Sequence, residues 1–234
     1  MRLKRYYSSR DVTALTGLTA DQLRWWERQK LVQPAVASHR TEVIGVVIPS
    51  LTNNVFADVL RGVYDSLEGS RYSIQLANTR YSILQEEKLL RLFRAQKPAG
   101  LIVTGINQTA ESRTILESMN CPVTQIMEIG DSPVDMMVGF SHFDAGFAAI
   151  SHILEQGCRR IGFLGARMDP RVQRRFEGYR DAMKAVSLFD PNLVVTTSVP
   201  TTVTLGGTLF ADLLAQAPDI DAVFCVNDDL ALGV

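Results

Sequence analysis

Cysteine and histidine are scarce in this sequence, which has three of each among 234 residues. The cysteines are isolated from one another, and each lies in or beside an apolar stretch (Cys121, Cys158 and Cys225). We interpret them as buried thiols in a reducing compartment, which argues against disulfides. The histidines are equally scattered, so surface or core positions are expected for them (His39, His142 and His152). No metal site and no cofactor are predicted.

Long apolar runs and nucleotide or nucleophile motifs are also missing. No run approaches the roughly 20 residues that a membrane span needs. The basic segment Met1–Arg5 is not followed by an apolar region, so no signal peptide is expected, and a cytoplasmic location is predicted. Neither G-x-G-x-x-G after a strand, nor G-x-x-x-x-G-K-[ST], nor G-x-S-x-G occurs, so we predict that the protein is not an enzyme.

The net charge is small, but the charged residues are distributed unevenly along the chain. The net charge is -1, yet residues 1–40 carry eight Lys or Arg against three Asp or Glu, so this segment is at +5 and the remainder at -6. A basic head on an acidic body suggests a nucleic-acid-binding module that is joined to a body which binds something else. Chance clustering on a small surface is the alternative.

The body opens with an apolar run, Val43–Ile48, whose length and β-branched content are typical of a strand buried on both faces. The polar loop 51–54 follows, and then an apolar stripe at helical spacing. This is half of a βαβ unit. Ligands of open α/β sheets bind at the carboxyl ends of the strands, so Ser50–Phe56 is the first candidate binding loop.

Strand and helix patterns alternate to the end of the chain, which predicts an α/β fold with parallel sheets and helices on both faces. We assign residues 1–41 to a small all-α head and 42–234 to the body, with a first lobe at 42–158 and a partial second lobe at 159–234. The predicted elements are strands at 43–48, 72–77, 99–103, 122–126, 136–140, 160–164, 193–197 and 222–226, and helices at 84–95, 110–119, 142–156, 173–186 and 205–215.

The head has the pattern of two helices separated by a glycine-containing turn. The first begins near Ser8 and ends at Gly17, and the second begins at Thr19, with Gln22 as capping-box partner. This is the helix-turn-helix layout, in which the second helix enters the major groove of DNA. Trp25 and Trp26 either divide between the core and the DNA backbone or are both core aromatics of a helical hairpin.

The segment Tyr6–Pro34 resembles the helix-turn-helix of the mercury-resistance-regulator (MerR) family. The residues that fall in step are Thr16-Gly17, Leu23-Arg24, Trp25-Trp26, Glu27-Arg28, Leu31 and Pro34. The resemblance implies that Arg24 and Trp25 contact phosphates and that Ala20, Asp21 and Gln22 face the groove. Arg10, Thr19 and Arg28 complete the predicted DNA-binding set. The β-wing that follows in that family has no counterpart before Val43.

The body resembles the sensor domain of the lactose-repressor (LacI) family, a type I periplasmic-binding-protein fold. The motifs that carry the resemblance are at Arg40–Pro49, Phe56–Gly62, Pro98–Gly105, His152–Gly165, Arg175–Met183 and Phe224–Gly233. Within that family the segments 49–62 and 138–146 look most like gluconate-utilisation repressors. The resemblance implies a homodimer that binds an operator in double-stranded DNA and a small sugar or sugar acid as effector.

The same resemblance implies the effector-binding residues Ser50, Asn54, Phe56, Asp144, Arg175 and Asn227. Amide and carboxylate groups suit hydroxyls, and an arginine can bind a carboxylate through two hydrogen bonds. Each polar assignment also has a structural alternative: Asp144 as a helix cap, Arg175 as half of a solvated pair with Arg174, and Asn227 as an N-cap.

We therefore expect a transcription regulator, acting as a repressor, that responds to a sugar acid such as gluconate. Two features differ from the lactose-repressor pattern. Residues 35–40 are too short for a hinge helix, and the family continues beyond the position of Val234. These differences suggest a fusion joined near Thr41–Val43, or a fragment. The alternatives are a cytoplasmic sugar-binding protein and a truncated fusion without regulated DNA binding.

Overall fold

A computed structural model describes Thr19 and residues 42–234. These residues form two parallel sheets and seven α-helices in alternation. The predicted α/β fold and the alternation of strands and helices are confirmed. The first lobe contains β1 (Glu42–Ile48), α1 (Asn54–Leu67), β2 (Tyr72–Asn78), α2 (Ile83–Gln96), β3 (Gly100–Thr104), α3 (Ala110–Glu117), β4 (Val123–Ile126) and β5 (Met136–Val138). The second contains α4 (His142–Glu155), β6 (Ile161–Gly165), α5 (Pro170–Ala185), β7 (Val194–Thr196), α6 (Val203–Gln216), β8 (Ala222–Cys225) and α7 (Asp228–Gly233).

The position of each strand within its sheet agrees with how deeply the strand is buried. In the five-stranded sheet the order is β2-β1-β3-β4-β5, and in the three-stranded sheet it is β7-β6-β8. The strands richest in buried residues lie inside each sheet: Val46, Val47 and Ile48 of β1 and every residue of β6 are buried. A strand covered on both faces gains apolar burial along its whole length, which is why these runs do not alternate.

Each sheet has its own core. In the first lobe Val47, Leu90, Phe93 and Leu101 pack on one face, and Val46, Ile48 and Phe56 pack on the other. In the second lobe Phe163 lies among aromatic rings, 5.1 Å from the Tyr179 ring centroid. The hydroxyl of Tyr179 donates to the Ile161 carbonyl at 2.9 Å, so the burial of this phenol leaves no polar atom unpaired.

Helix α4 packs with the second sheet. Its residue Ile150 is fully buried in the same cluster as Phe163 and Met183. The packing therefore divides the lobes between β5 and α4, whereas the predicted division after residue 158 would leave α4 with the first sheet. The order of elements along the chain does not identify which sheet α4 covers, because a helix that follows a strand of one lobe can pack on the sheet of the next.

Helices α4 and α5 approach closely through two glycines. A Cβ on Gly178 would overlap the Phe143 carbonyl oxygen and lie 2.6 Å from the Phe147 nitrogen. A Cβ on Gly146 would lie 2.6 Å from the Arg175 carbonyl oxygen. Only glycine permits this backbone contact. It brings the first turn of α4 beside Arg175 of α5.

Candidate functional site

Because all strands are parallel, the loops that follow them converge in a cleft between the two sheets. One cavity of this cleft has a volume of about 440 Å³, and we call it the effector pocket after the residues that were predicted to bind an effector. Its first-lobe lining includes Asn54 and Phe56 of α1, and its second-lobe lining includes Arg175 of α5 and Asn227 before α7. Pockets of this size hold small metabolites.

Four of the six residues predicted to bind an effector thus line one pocket, and two do not. Ser50 lies before α1, where its Oγ accepts from the backbone N–H groups of Thr52 and Asn53, at 3.2 Å each. Asp144 is exposed in the first turn of α4. It is not the N-cap, which is Ser141; the Asp144 backbone N–H donates to Ser141 Oγ at 3.1 Å. The cap alternative for Asp144 is therefore wrong.

Arg175 is held rigidly from two sides. Its Nε donates to Nδ1 of His142 at 3.2 Å, and its Nη1 donates to the Val226 carbonyl. Burial lowers the pKa of Arg175, and nearby Arg171 lowers it further. These bonds do not use Nη2. Arg175 is thus not half of a solvated pair, but a half-buried cation whose direct contacts are neutral groups.

His142 is the partner that fixes Arg175, and it is only 1% exposed. Its Nε2 lies 3.0 Å from the Met127 carbonyl, which requires an Nε2–H donor, while Nδ1 accepts from Arg175. Burial lowers the pKa of His142 to about 4, and the charge of Arg175 acts in the same direction. The imidazole is therefore neutral at pH 7, and it joins the first lobe to α5.

Asn227 is both an N-cap and a pocket residue. Its Oδ1 accepts from the Leu230 N–H at 3.1 Å, and its Nδ2 donates to Thr201 Oγ1 at 3.1 Å. The N-cap alternative for Asn227 is confirmed. Because its amide is already oriented by these bonds, a ligand hydroxyl would meet it in a fixed position, using the second lone pair of Oδ1 or the second Nδ2 proton.

A second contact between the lobes lies beside the pocket, and we call it the interlobe bridge. Arg174 of α5 pairs with Glu128, which follows β4 and is 1% exposed. Arg174 also donates from Nη2 to Asn107 Oδ1 at 2.7 Å. Burial raises the pKa of Glu128, and the charge of Arg174 opposes that rise. The adjacent residues Arg174 and Arg175 of α5 therefore make different contacts: Arg174 pairs with Glu128, and Arg175 binds His142 and the Val226 carbonyl.

Three further residues, which we call the cleft wall, close one side of the effector pocket: Tyr81, Asp169 and Arg171. Asp169 caps α5, with its Oδ1 accepting from the Arg171 N–H at 3.0 Å. The guanidinium of Arg171 lies 5.8 Å from the centre of the Tyr81 ring. Burial raises the pKa of Tyr81, against the charges of Arg171 and Arg167.

Sequence reasoning missed His142 and the cleft wall. His142 was one of three scattered histidines, and its importance depends on a contact with α5 across the chain. Asp169-Pro170 did carry a local signal, since Asp before Pro is typical of an N-cap followed by the first helical residue. Tyr81 lies in a loop with no motif.

The predicted DNA-binding residues lie outside the described residues, apart from Thr19, which is exposed. The prediction of a MerR-type head therefore stays a prediction. Within the described residues, no helix has the length and apolarity to cross a membrane. In the same part of the chain, no group of three or more His, Cys, Asp or Glu side chains is arranged to hold a metal ion.

Comparison with known proteins agrees with this fold. Over 199 residues the chain is 38% identical to the HTH-type transcriptional regulator GntR of Pseudomonas aeruginosa, covering 85% of this chain and 58% of that protein. It is 34% identical over 201 residues to GntR of Escherichia coli K12, covering 86% and 60%. The crystal structure of transcription regulator GntR from Chromobacterium violaceum superposes with a TM-score of 0.77, at 39% identity, over 82% of this chain and 70% of that one.

The chain spans about three fifths of the length of these curated relatives, 58% and 60%. They are named as transcriptional regulators, in agreement with the prediction that the protein is not an enzyme. The family described as periplasmic binding proteins and sugar binding domain of LacI family matches residues 41–234. The chain belongs to this family.

Proposed function

We propose that the protein is a DNA-binding transcription regulator, acting as a repressor, whose body binds a sugar acid such as gluconate. Residues 1–41 would bind an operator, and two copies of the chain would present two heads to a palindromic site. A ligand between the lobes would favour one lobe arrangement and so change the spacing of the heads. The names of the similar regulators support this assignment.

The observation that carries the choice of a sugar acid is Arg175. Its guanidinium lies half-buried in the pocket and contacts an imidazole and a carbonyl rather than a carboxylate. A cation removed from water without a bonded anion is costly, and a ligand carboxylate would compensate for that cost. Phe56 offers an apolar face, and Asn54 and Asn227 offer amides to hydroxyl groups.

The direct test is isothermal titration calorimetry of the whole chain with D-gluconate and with D-glucose, which lacks the carboxylate. We expect gluconate to bind at least about tenfold more tightly. Arg175→Gln should abolish that preference. Arg180→Gln is the matched control, because it removes a partly exposed cation of α5 that pairs with Asp181 and does not line the pocket. Equal affinity for the two sugars would contradict the choice of a sugar acid.

DNA binding needs its own test. Fluorescence anisotropy against palindromic duplexes, at two salt concentrations and with or without gluconate, should show saturable, sequence-selective binding that gluconate alters. Arg24→Ala should weaken binding to all duplexes, whereas Gln22→Ala should reduce the preference among them. Gluconate binding without any selective DNA binding would favour the alternative of a sugar-binding protein.

A further inference from the structure

A second cavity lies in the same cleft, on the far side of the cleft wall from the effector pocket. It has a volume of about 340 Å³, and we call it the Arg167 chamber. Its polar lining includes Glu86 of α2, Gln108 after β3, and Arg167 and Arg171 from the β6–α5 region. The apolar side chains of Val47, Ile48 and Ile83 complete it. It is large enough for a small metabolite.

Arg167 is a cation of this chamber, and it has no anionic partner among residues 42–234. Its guanidinium stacks on the ring of Tyr81, 4.0 Å from the ring centre. It makes no side-chain hydrogen bond or ion pair with any residue that the structure describes. Stacking uses the face of the guanidinium and leaves its in-plane N–H donors available. Five donors in a half-buried planar group are suited to an oxyanion.

Two helix N-termini and a second guanidinium add positive potential to the chamber, and the carboxyl groups of Asp169 and Glu86 oppose it. The chamber is bordered by the N-cap Ser82 and first residue Ile83 of α2 and by the first two residues of α5, Pro170 and Arg171, and a helix N-terminus carries partial positive charge. Arg171 contributes a second guanidinium, offset by Asp169 at 3.7 Å. The side-chain carboxyl of Glu86 has no hydrogen-bond or ion-pair partner among the described residues. Burial raises its pKa to about 7.

The chamber is separate from the effector pocket. Tyr81, Asp169 and Arg171 line both cavities, whereas Arg167 and Glu86 line this one alone and Arg175 and Asn227 line the other. Residues in and beside the cleft wall have an unusual backbone conformation: Arg80 and Tyr81 have φ of 52° and 59°, and Arg167 and Met168 have φ of 64° and 51°. Such non-glycine residues persist where the surrounding contacts fix them.

We propose that the Arg167 chamber is a second ligand site, which binds the oxyanion group of a small hydroxylated metabolite through the free N–H edge of Arg167. The carboxyl of Glu86 and the amide of Gln108 would meet the hydroxyl groups of that metabolite. The oxyanion is a carboxylate or a phosphate, since both fit a planar guanidinium. The site does not depend on which effector occupies the first pocket.

Calorimetric titration of the whole chain with inorganic phosphate and, separately, with acetate tests the proposal at pH 8 and low salt. We expect saturable binding of at least one of these ions, and the ion that binds identifies the source of the oxyanion. Arg167→Gln should weaken it by at least about tenfold. Arg180→Gln, which removes an equal charge from the surface of α5, should leave it unchanged.

Two further variants keep the test decisive if Arg167→Gln does not fold. Glu86→Gln should tighten anion binding, because an ionised carboxylate that repels the anion is removed. Arg175→Gln should remove at most the acetate that binds in the effector pocket, and should leave the Arg167-dependent anion binding unaltered while it weakens gluconate binding. The proposal is overturned if neither ion binds, if Arg167→Gln and Arg180→Gln bind equally well, or if Arg175→Gln abolishes anion binding. In the last case the ion occupies the effector pocket.

Discussion

Single ionisable residues of the cleft have opposite effects on stability as pH changes. The pKa of His142 falls from 6.5 to about 4 on folding, so below pH 6.5 the unfolded chain binds a proton that the folded chain excludes. The pKa of Glu86 rises from 4.5 to about 7, so above pH 4.5 the folded chain keeps a proton that the unfolded chain releases. Between pH 4.5 and 6.5 the two effects oppose each other.

Replacing His142 should reveal how much this residue contributes to the pH dependence of the free energy of unfolding. The neutral imidazole stabilises the fold fully above pH 6.5, and that contribution is lost as pH falls toward 4, by up to about 3 kcal/mol. In His142→Gln, urea unfolding at pH 7.5 and 5 should show a smaller loss of stability on acidification than in the wild type. His152→Gln, at an exposed position, should behave as the wild type does. An equally steep loss in His142→Gln would contradict the assignment.

Glu86→Gln should show the reverse pH dependence. The carboxyl destabilises the fold increasingly as pH rises from 4.5 through 7, because it must either keep its proton or be ionised in a half-buried place. At pH 8 the variant should exceed the wild type in unfolding free energy by about 1–2 kcal/mol, and at pH 4 the two should agree. Denaturant titrations at both pH values measure this; a constant difference would show that Glu86 is not titrating.

At the scale of elements, the α4–α5 contact positions the effector pocket. Gly178→Ala would insert a Cβ against the Phe143 carbonyl, a backbone atom that has little freedom to move. We expect a loss of about 1–3 kcal/mol in unfolding free energy and weaker gluconate binding, since His142 and Arg175 would separate. Calorimetry and thermal unfolding measure both effects.

Gly62 of α1 provides the matched control for that substitution. A Cβ there meets nothing within 4 Å. Gly62→Ala should therefore stabilise the protein by about 0.5–1 kcal/mol, because alanine is the better helix former, and gluconate binding should be unchanged. A destabilised Gly62→Ala protein would mean that helix packing, rather than helix propensity, decides the outcome at that position.

The elements themselves could be predicted from the sequence, but their partners could not. Runs such as Val43–Ile48 and Arg160–Leu164 identify buried strands by local composition alone, and the structure has them as β1 and β6 within one residue. The sequence pattern predicts that α5 begins at Gln173, whereas it begins at Pro170, because proline is compatible with the first turn of a helix. The assignment of α4 to the second lobe depends on Gly146 and Gly178 meeting, which no local pattern records.

For the site, motif position located Arg175 and Asn227 but not what they contact. Asp144 has the position that the family resemblance implies, yet the helix that begins after Ser141 directs it to solvent. His142, two residues earlier, lies in the pocket instead. Such a difference of two residues on a helix amounts to a rotation of about 200°, so a correct alignment can still assign the wrong side chain to a pocket.

At the scale of the whole molecule, the interlobe bridge holds the two lobes in this arrangement. Arg174→Leu would leave Glu128 buried without its cation, and we expect a loss of about 2–3 kcal/mol, below the value for a fully buried pair because the Arg174 side chain is 31% exposed. Small-angle X-ray scattering should show a larger radius of gyration, as the lobes would separate more readily.

Arg113→Leu tests whether the effect belongs to the bridge. Arg113 pairs with Glu117 on α3, where both side chains are well exposed, at 39% and 50%. An exposed pair contributes at most about 1 kcal/mol, and this one lies within one lobe, so the radius of gyration should not change. Similar scattering curves for Arg113→Leu and Arg174→Leu would argue against a role for the bridge in lobe arrangement.

The wall shared by the two cavities has a thermodynamic consequence. Tyr81, Asp169 and Arg171 each face both cavities, so molecules bound on the two sides act on the same three side chains. If gluconate changes the affinity of an oxyanion by some factor, the oxyanion must change the affinity of gluconate by that same factor, because the order of binding does not alter the final state. A factor other than one, measured in either direction, would mean that the affinity of the protein for gluconate depends on the concentration of the oxyanion.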